Sequence, residues 1–162
     1  MFHTAEKRSV PLTFPTFCND DFAWLGHGYY FWYSLDDAKE WGELFKSDTG
    51  AFEVFISFIN CENVLDTVFN ESEYIFWMDA IELAASSLKR FNKPLNLKYL
   101  NLYFKEKCTW DEVDGILFQD LPSNERKTKI SKLFYKKRIQ IVVYNRDIIT
   151  TFDLAVSKMV KK

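Results

Sequence analysis

Hydrophobic and polar positions follow two different spacings along this chain, and together they predict both strands and helices. Short runs rich in aromatic and β-branched residues, bounded by turn-forming residues, are typical of buried strands. Five such runs occur, at Phe2–Ala5, Tyr29–Tyr33, Phe52–Ile59, Gly115–Phe118 and Arg138–Asn145. We expect the fifth to be the last clear strand. The stretch Val64–Asp66 is interpreted as a turn that leaves the sheet.

The first helix is predicted to begin directly after the second of these runs. Ser34 and Asp37 have the three-residue spacing of a capping signal at a helix start. An apolar face then follows at i, i+3, i+4 and i+7. Its members are Ala38, Trp41, Gly42 and Phe45. This spacing predicts a helix from about Asp36 that packs on the sheet.

Two further helices are predicted in the middle of the chain. Ser72 is expected to cap the first, from about Glu73 to Phe91. Its positions at helical spacing are Ile75, Met78, Glu82, Ala85 and Leu88. Pro94 is expected in the first turn of the second helix, which starts near Leu95. Its buried stripe consists of Leu97, Leu100 and Phe104. Both helices are interpreted as scaffold, and the mixture of elements predicts an α+β fold.

Length and composition are those of one ordinary globular domain. The 162 residues are 48% hydrophobic and 27% charged. Repeats, low-complexity tracts and interdomain linkers are not evident, so we expect a single domain over residues 1–162. Aromatic residues make up 18%, enough to supply a stacking pocket as well as a core. The sequence has neither a long apolar run nor a signal peptide, so a cytoplasmic protein with no membrane partner is expected.

Cysteines and charge narrow the possible chemistry. The three cysteines, Cys18, Cys61 and Cys108, are far apart, so neither a disulfide framework nor a metal site is predicted. The net charge of −2 argues against wholesale nucleic-acid binding. Basic residues nevertheless cluster before the last predicted strand, where Ser123 is expected to cap a helix. They form either a solvated helix face or a platform for phosphates. The lysines concerned are Lys127, Lys129, Lys132, Lys136 and Lys137.

Two glycines frame a histidine ahead of the aromatic run. The motif reads Gly26-His27-Gly28-Tyr29-Tyr30-Phe31-Trp32. Glycine lets the backbone take φ > 0 or come close to a ligand. A glycine turn, an aromatic strand and a packed helix can together present one aromatic ring beside a cleft. The simpler interpretation is a strand and a helix of an aromatic-rich core.

This motif, followed by Ala38, resembles the central motif of the ADP-ribosyltransferase superfamily. The similarity is to the diphtheria-toxin-like branch, which includes the poly-ADP-ribose polymerases. In that branch Gly-x-Gly-x-Tyr-Phe precedes a helix that contains an alanine, and the tyrosine stacks on the nicotinamide of NAD. By register the stacking residue here is Tyr30, with Tyr29 as the competitor one position away. The resemblance implies a split, strongly twisted sheet with packed helices and an NAD cleft between its halves. It also implies that NAD is bound by residues of this motif and of the N-terminal strand, namely Gly28, Tyr29, Tyr30, Phe31, Ala38, His3 and Thr4.

The N-terminal strand carries a second point of resemblance. The superfamily opens with His-Gly-Thr or His-Gly-Ser, and this chain has His3 followed by Thr4. The resemblance implies that His3 holds the adenosine ribose of NAD while backbone groups beside it clamp the nicotinamide amide. Thr4 stands where the family usually has glycine. Threonine keeps the backbone N–H and C=O groups that glycine would supply. Its side chain, however, hinders the close approach of a ligand that glycine permits.

A third point of resemblance lies in the last predicted strand. The superfamily has a late strand of the form Glu-Tyr-Ile-Val-Tyr-Asn, whose glutamate is the third signature residue. Aligned on Val143-Tyr144-Asn145, that position falls on Gln140. The resemblance thus implies a His-Tyr-Gln variant of the His-Tyr-Glu triad, made of His3, Tyr30 and Gln140. Glutamine forms hydrogen bonds but has no negative charge, so efficient polymer elongation is not expected. The alternative is a polar side chain that simply faces solvent.

The resemblance implies an enzyme that uses NAD as a substrate and transfers ADP-ribose to a macromolecular acceptor, either protein or nucleic acid. We expect mono-ADP-ribosylation in a toxin or phage-defence setting, because small bacterial and phage domains carry similar motifs. An antitoxin or immunity protein is then a further candidate partner. If the acceptor is nucleic acid, the five lysines are its expected phosphate contacts. Two alternatives stay open: a non-catalytic module that binds a nucleotide or nucleic acid in the same cleft, and an NAD glycohydrolase.

Overall fold

The computed structural model describes residues 1–46, 48–107, 109, 111–120 and 138–159, which form seven strands and three α-helices. The strands are β1 (Phe2–Glu6), β2 (Tyr29–Trp32), β3 (Ala51–Ile56), β4 (Val64–Asp66), β5 (Gly115–Asp120), β6 (Arg138–Val143) and β7 (Asp153–Met159). The helices are α1 (Leu35–Phe45), α2 (Glu71–Arg90) and α3 (Leu97–Glu106), and a 3-10 turn spans Arg146–Ile148. The predicted α+β class is confirmed. The five lysines of the basic segment and Cys108 lie outside the described residues.

The strands form one mixed sheet in the order β4-β5-β6-β2-β1-β3-β7. Neighbouring strands are antiparallel except β4 and β5, which are parallel. The contact between β1 and β2 is narrow: within the described residues their register contains the single pair Phe2 and Trp32. By contrast, β1 pairs with β3 along its whole length, from Phe2 to Glu6. The sheet therefore consists of two well-paired halves that meet at one point and part beyond it.

Helix α1 packs closely on the central strands because its inner face is made of small residues. Its start at Ser34 is as predicted, since the Ser34 side chain accepts a hydrogen bond from the Asp36 backbone N–H at 3.2 Å. Ala38 and Gly42 are buried against the sheet, and a Cβ at Gly42 would overlap the ring of Phe52. The helix axis can therefore approach β1, β2 and β3 closely.

The predicted starts of the other two helices were wrong by a few residues. Helix α2 is capped by Asn70 rather than Ser72, because the Asn70 side chain accepts from two backbone N–H groups of the first turn. Helix α3 is capped by Asn96, so Pro94 precedes the helix instead of lying in its first turn. Asparagine competes well with serine at this position because its side-chain oxygen reaches the same N–H groups. The predicted inner face of α2 was also partly wrong, since Ile75 is exposed.

Three strand predictions need correction. Strand β3 ends at Ile56, and Ile59 forms an isolated bridge with Ile149 instead. Val64–Asp66 is not a turn but the short strand β4, which gains its pairing from β5. The last strand is β7 rather than β6, which ends at Val143. Strand β7 was missed because most of its residues are exposed, so its position depends on pairing with β3 and leaves little hydrophobic signal.

Alternation along the central strands divides their side chains between two faces of the sheet. One face carries a buried core around Phe31, Ile141 and Val143. The opposite face carries Ile116, Phe118 and Val142, with Tyr30 packed against them. Within the described ranges, none of the helices combines the length and apolar character needed to cross a membrane.

Candidate active site

A cavity of about 610 Å³ opens where β1 and β2 part. His3, Tyr30 and Gln140 all line it, so the fold brings together three residues that are far apart in the sequence. The irregular connection before β2 forms another wall, through residues that include Thr16 and Cys18. An isolated bridge between Cys18 and Gly28 fastens this connection to the strand.

His3 is buried, and both of its ring nitrogens are engaged by backbone groups. Nδ1 lies 2.9 Å from the carbonyl oxygen of Tyr30. Because a carbonyl can only accept, Nδ1 must carry the proton. Nε2 accepts from the backbone N–H of Thr16 at 3.1 Å. Burial lowers the pKa of His3 to about 4, so the ring is neutral at pH 7. Nε2 is free to accept a hydrogen bond from a ligand only after the Thr16 N–H has moved away.

Tyr30 offers the cavity its ring rather than its hydroxyl. The hydroxyl donates to the carbonyl of Gly26 at 2.7 Å and accepts from the backbone N–H of Leu25 at 3.2 Å. Burial raises the pKa of Tyr30, so the phenol stays neutral. The ring meets that of Phe118 edge-on, with centroids 6.5 Å apart. These contacts fix the ring at the cavity wall before any ligand arrives.

The structure distinguishes Tyr30 from its competitor Tyr29. Tyr29 points to the opposite face, where its ring packs edge-on against Phe14 and Phe17 with centroids 5.4 and 5.1 Å apart. The described lining of the cavity includes Tyr30 and not Tyr29. The register chosen from the glycine motif therefore matches the geometry of the cavity.

Gly28, Phe31 and Ala38 are absent from the described lining of the cavity, whereas Trp32 of the motif is part of it. A Cβ at Gly28 would lie 2.6 Å from Cγ2 of Val142, so this glycine allows close approach of β6. Phe31 and Ala38 are completely buried. Thr4 does line the cavity, but its hydroxyl donates to the carbonyl of Ala38 at 2.8 Å and so faces α1.

Gln140 belongs to a buried cluster whose other two members the sequence analysis did not single out. Its Nε2 donates to Oδ2 of Asp120 at 2.9 Å. A guanidinium nitrogen of Arg138 lies 3.4 Å from the same oxygen. All three residues are at most 9% exposed and line the cavity. The interpretation of Gln140 as a solvent-facing side chain is therefore wrong.

A sequence signal existed for one of these two missed residues. Arg138 precedes Gln140 by two positions in β6, and alternate residues of a strand share a face. Asp120 could not be found this way, because its place depends on the pairing of β5 with β6, in which it lies opposite Arg138. The guanidinium of Arg138 also lies 4.5 Å from the ring centroid of Trp32, which fixes it in place.

Aromatic side chains from α1 and β2 form a further wall of the cavity. Trp41 lies between Trp32 and Phe45, with ring centroids 5.6 and 4.1 Å away. Helical spacing predicts Trp41 and Phe45 on the apolar face that packs on the sheet, but both line the cavity instead. Arg8 and Lys46 add positive charge to the same lining. Flat rings beside cations suit a ligand that carries both aromatic rings and phosphates.

Comparison with models of known protein families, with curated proteins and with solved structures finds no match to this chain. Function is therefore inferred from the residues of the site. Cys18 and Cys61 are free thiols. In the part of the chain that the structure describes, no three His, Cys, Asp or Glu side chains are grouped to hold a metal ion.

Proposed function

We propose that this protein transfers ADP-ribose from NAD to a macromolecular acceptor and that NAD binds in the cavity between β1 and β2. One observation carries the proposal. A single cavity of about 610 Å³ contains His3, Tyr30 and Gln140, the three positions that the resemblance to ADP-ribosyltransferases selects independently of any structure. The narrow β1–β2 contact further supports the split sheet of that superfamily. The volume lies within the range of about 300–1,000 Å³ that is usual for cofactor-sized ligands.

Each part of NAD has a chemically suitable wall in this cavity. Nicotinamide stacks on Tyr30, and Trp41 provides a second aromatic surface in the same lining. Such stacking is worth about 1–3 kcal/mol per ring. The adenosine ribose meets Nε2 of His3 once the Thr16 N–H has moved. Arg8 and Lys46 attract the pyrophosphate, since guanidinium and ammonium groups pair well with phosphate oxygens.

The reaction breaks the bond between the ribose C1′ and the nicotinamide nitrogen. The bonding electrons leave with nicotinamide, which becomes neutral, and the ribose passes through an oxocarbenium-like state. An acceptor nucleophile then bonds to C1′, and its proton passes to solvent. Gln140 accepts a hydrogen bond from a hydroxyl of the nicotinamide-side ribose and so orients the sugar. Because an amide cannot act as a base, the proposal is for single transfers rather than polymer growth.

A non-catalytic nucleotide-binding module is the second candidate, and one observation favours it. Gln140 provides no charge to the cavity, and the closest carboxylate that it contacts is already paired with Arg138. A binder needs the aromatic walls and the cations but no charge beside the ribose. The third option, an NAD glycohydrolase, differs from the transferase only in using water as the acceptor.

Isotopic labelling separates the three candidates. Purified protein is incubated with NAD labelled in its adenylate phosphate and with a bacterial lysate, and RNA, DNA and protein are then fractionated. The transferase predicts released nicotinamide together with label in one macromolecular fraction. Nicotinamide release without labelled macromolecule indicates the glycohydrolase. Absence of both, with NAD still bound, supports the binder and contradicts the proposed transfer.

Labelling also tests the setting that we propose. In a toxin or phage-defence role, the protein acts in the cytoplasm on a molecule of its host, and a neutralising antitoxin or immunity protein accompanies it. Induced expression should then slow bacterial growth in proportion to the label transferred. Growth arrest that persists in a variant unable to release nicotinamide would contradict this role.

A further inference from the structure

The amide of Gln140 faces a carboxylate. Its Nε2 lies 2.9 Å from Oδ2 of Asp120, and both side chains are more than nine-tenths buried. In the β5–β6 register Gln140 lies opposite Phe118, while Asp120 lies opposite Arg138. Asp120 is thus the diagonal neighbour of Gln140 on one face of the sheet, at a separation that long side chains can bridge.

This contact determines which end of the amide the cavity meets. An ionised carboxylate accepts hydrogen bonds and cannot donate them, so the amide NH2 must face Asp120. The amide oxygen Oε1 is therefore the atom directed away from Asp120. Arg138, whose guanidinium is always charged, is the ion-pair partner of the same carboxylate oxygen at 3.4 Å. A glutamine without such a partner can turn either way.

We infer that Asp120 is a positioning residue that presents Oε1 of Gln140 to the ribose of the bound dinucleotide. In this role the amide oxygen replaces one oxygen of the glutamate usual at this position. The hydrogen bond to a carboxylate also polarises the amide and strengthens Oε1 as an acceptor. The inference rests on the proposed function, because it names the atom through which Gln140 acts in the transfer.

Removing the carboxylate should reverse the amide. In the Asp120→Leu variant Arg138 is the polar side chain of the described cluster that remains beside Gln140, and it can only donate. Oε1 then turns towards the guanidinium, and the NH2 group faces the cavity. We expect the kcat for nicotinamide release to fall by about tenfold or more, with a smaller change in the KM for NAD. A change of this size is usual when one of two side chains that interact directly is removed. Asp79→Leu, at an exposed position of α2, is the matched control and should change neither value.

Exchanging the positions of the amide and the carboxylate tests the contact between Gln140 and Asp120 without relying on one damaging variant. Gln140→Glu alone restores the family's residue but places two carboxylates together, so we expect kcat below the wild-type value. Adding Asp120→Asn to it supplies an amide donor, and kcat should recover by about tenfold. If Gln140→Glu alone matches or exceeds the wild type, and Asp120→Asn adds nothing to it, Asp120 does not position residue 140.

A spectroscopic measurement without NAD separates failure of this inference from failure of the proposed function. The side-chain NH2 resonances of Gln140 are assigned by their loss in Gln140→Glu. They should be protected from solvent exchange in the wild type, and they should shift and lose protection in Asp120→Leu. Unchanged resonances overturn the inference whatever the activity. Absence of nicotinamide release from the wild type instead overturns the proposed transfer and leaves the resonances to decide the role of Asp120.

Discussion

The imidazole of His3 donates from Nδ1 to the backbone carbonyl of Tyr30 at 2.9 Å. A side chain of β1 thus joins the backbone of β2 where direct pairing of the two strands stops. The other ring nitrogen accepts from Thr16, in the connection that forms the cavity wall. The same ring that the resemblance assigns to the adenosine ribose therefore also fastens together the two halves of the sheet.

Replacement of His3 should destabilise the fold. His3→Ala removes the hydrogen bonds to the carbonyl of Tyr30 and to the N–H of Thr16, each worth about 0.5–1.5 kcal/mol. We expect the free energy of unfolding, measured in urea, to fall by about 1–3 kcal/mol. His27→Ala removes an exposed ring and should cost less than about 0.5 kcal/mol. Equal unfolding midpoints for the two variants would show that the His3 contacts are not formed.

The buried His3 should also make stability depend on pH. Burial lowers its pKa from 6.5 to about 4 in the fold. Below about pH 6.5 the unfolded chain binds a proton that the folded chain does not. The free energy of unfolding should therefore fall as the pH drops from 6.5 to 4, by about 3 kcal/mol in total. The wild-type curve should be steeper than that of His3→Ala in this window, and parallel curves would contradict the prediction.

Gly28 should matter through packing against β6. A Cβ at this position would lie 2.6 Å from Cγ2 of Val142 and 2.9 Å from the carbonyl oxygen of Val143. Gly28→Ala should therefore lower the free energy of unfolding by about 1–3 kcal/mol. Adding Val142→Ala removes the nearest atom, so the double variant should lose less stability than the sum of the two single variants. Strictly additive losses would show that the crowding arises elsewhere.

Tyr30 should have separable contributions from its ring and its hydroxyl. Tyr30→Phe removes the hydrogen bonds to Gly26 and Leu25, so stability should fall by about 1–3 kcal/mol while the KM for NAD changes little. Tyr30→Ala also removes the stacking surface, and its KM should rise about 5- to 150-fold. Tyr33→Ala, an exposed aromatic outside the cavity lining, is the control. An unchanged KM for NAD in Tyr30→Ala would show that the Tyr30 ring does not stack on NAD.

Local sequence signals predicted most of the elements because the residue patterns that define these elements lie within the elements themselves. The aromatic and β-branched runs of β2, β5 and β6 became buried strands, and Ser34 begins α1 as its spacing suggested. Strands β4 and β7 were missed for a physical reason. Strand β4 has three residues, and β7 is largely exposed, so each depends on its neighbour rather than on its own composition.

The sequence could reveal only those site residues that belong to a short motif or share a strand face with one that does. Tyr30 and Gln140 stand at recognisable positions in short motifs, and both line the cavity. Asp120 has no motif, because its contact with Gln140 arises from pairing between strands 20 positions apart. Trp41 followed the helical period expected of a core residue, yet the parting of β1 and β2 leaves an open space beside it. Periodicity shows which residues lie on the same face of a helix, but not whether that face packs against other residues or borders a cavity.

Release of nicotinamide from NAD is the most direct test of the central claim. The wild type is compared with Gln140→Ala and with Gln119→Ala, which changes an exposed glutamine of β5, and folding of each variant is checked by its unfolding midpoint. We predict that the wild type and Gln119→Ala release nicotinamide at equal rates and that Gln140→Ala is about 10- to 100-fold slower. Equal rates for all three proteins, or no release by the wild type, would contradict the account.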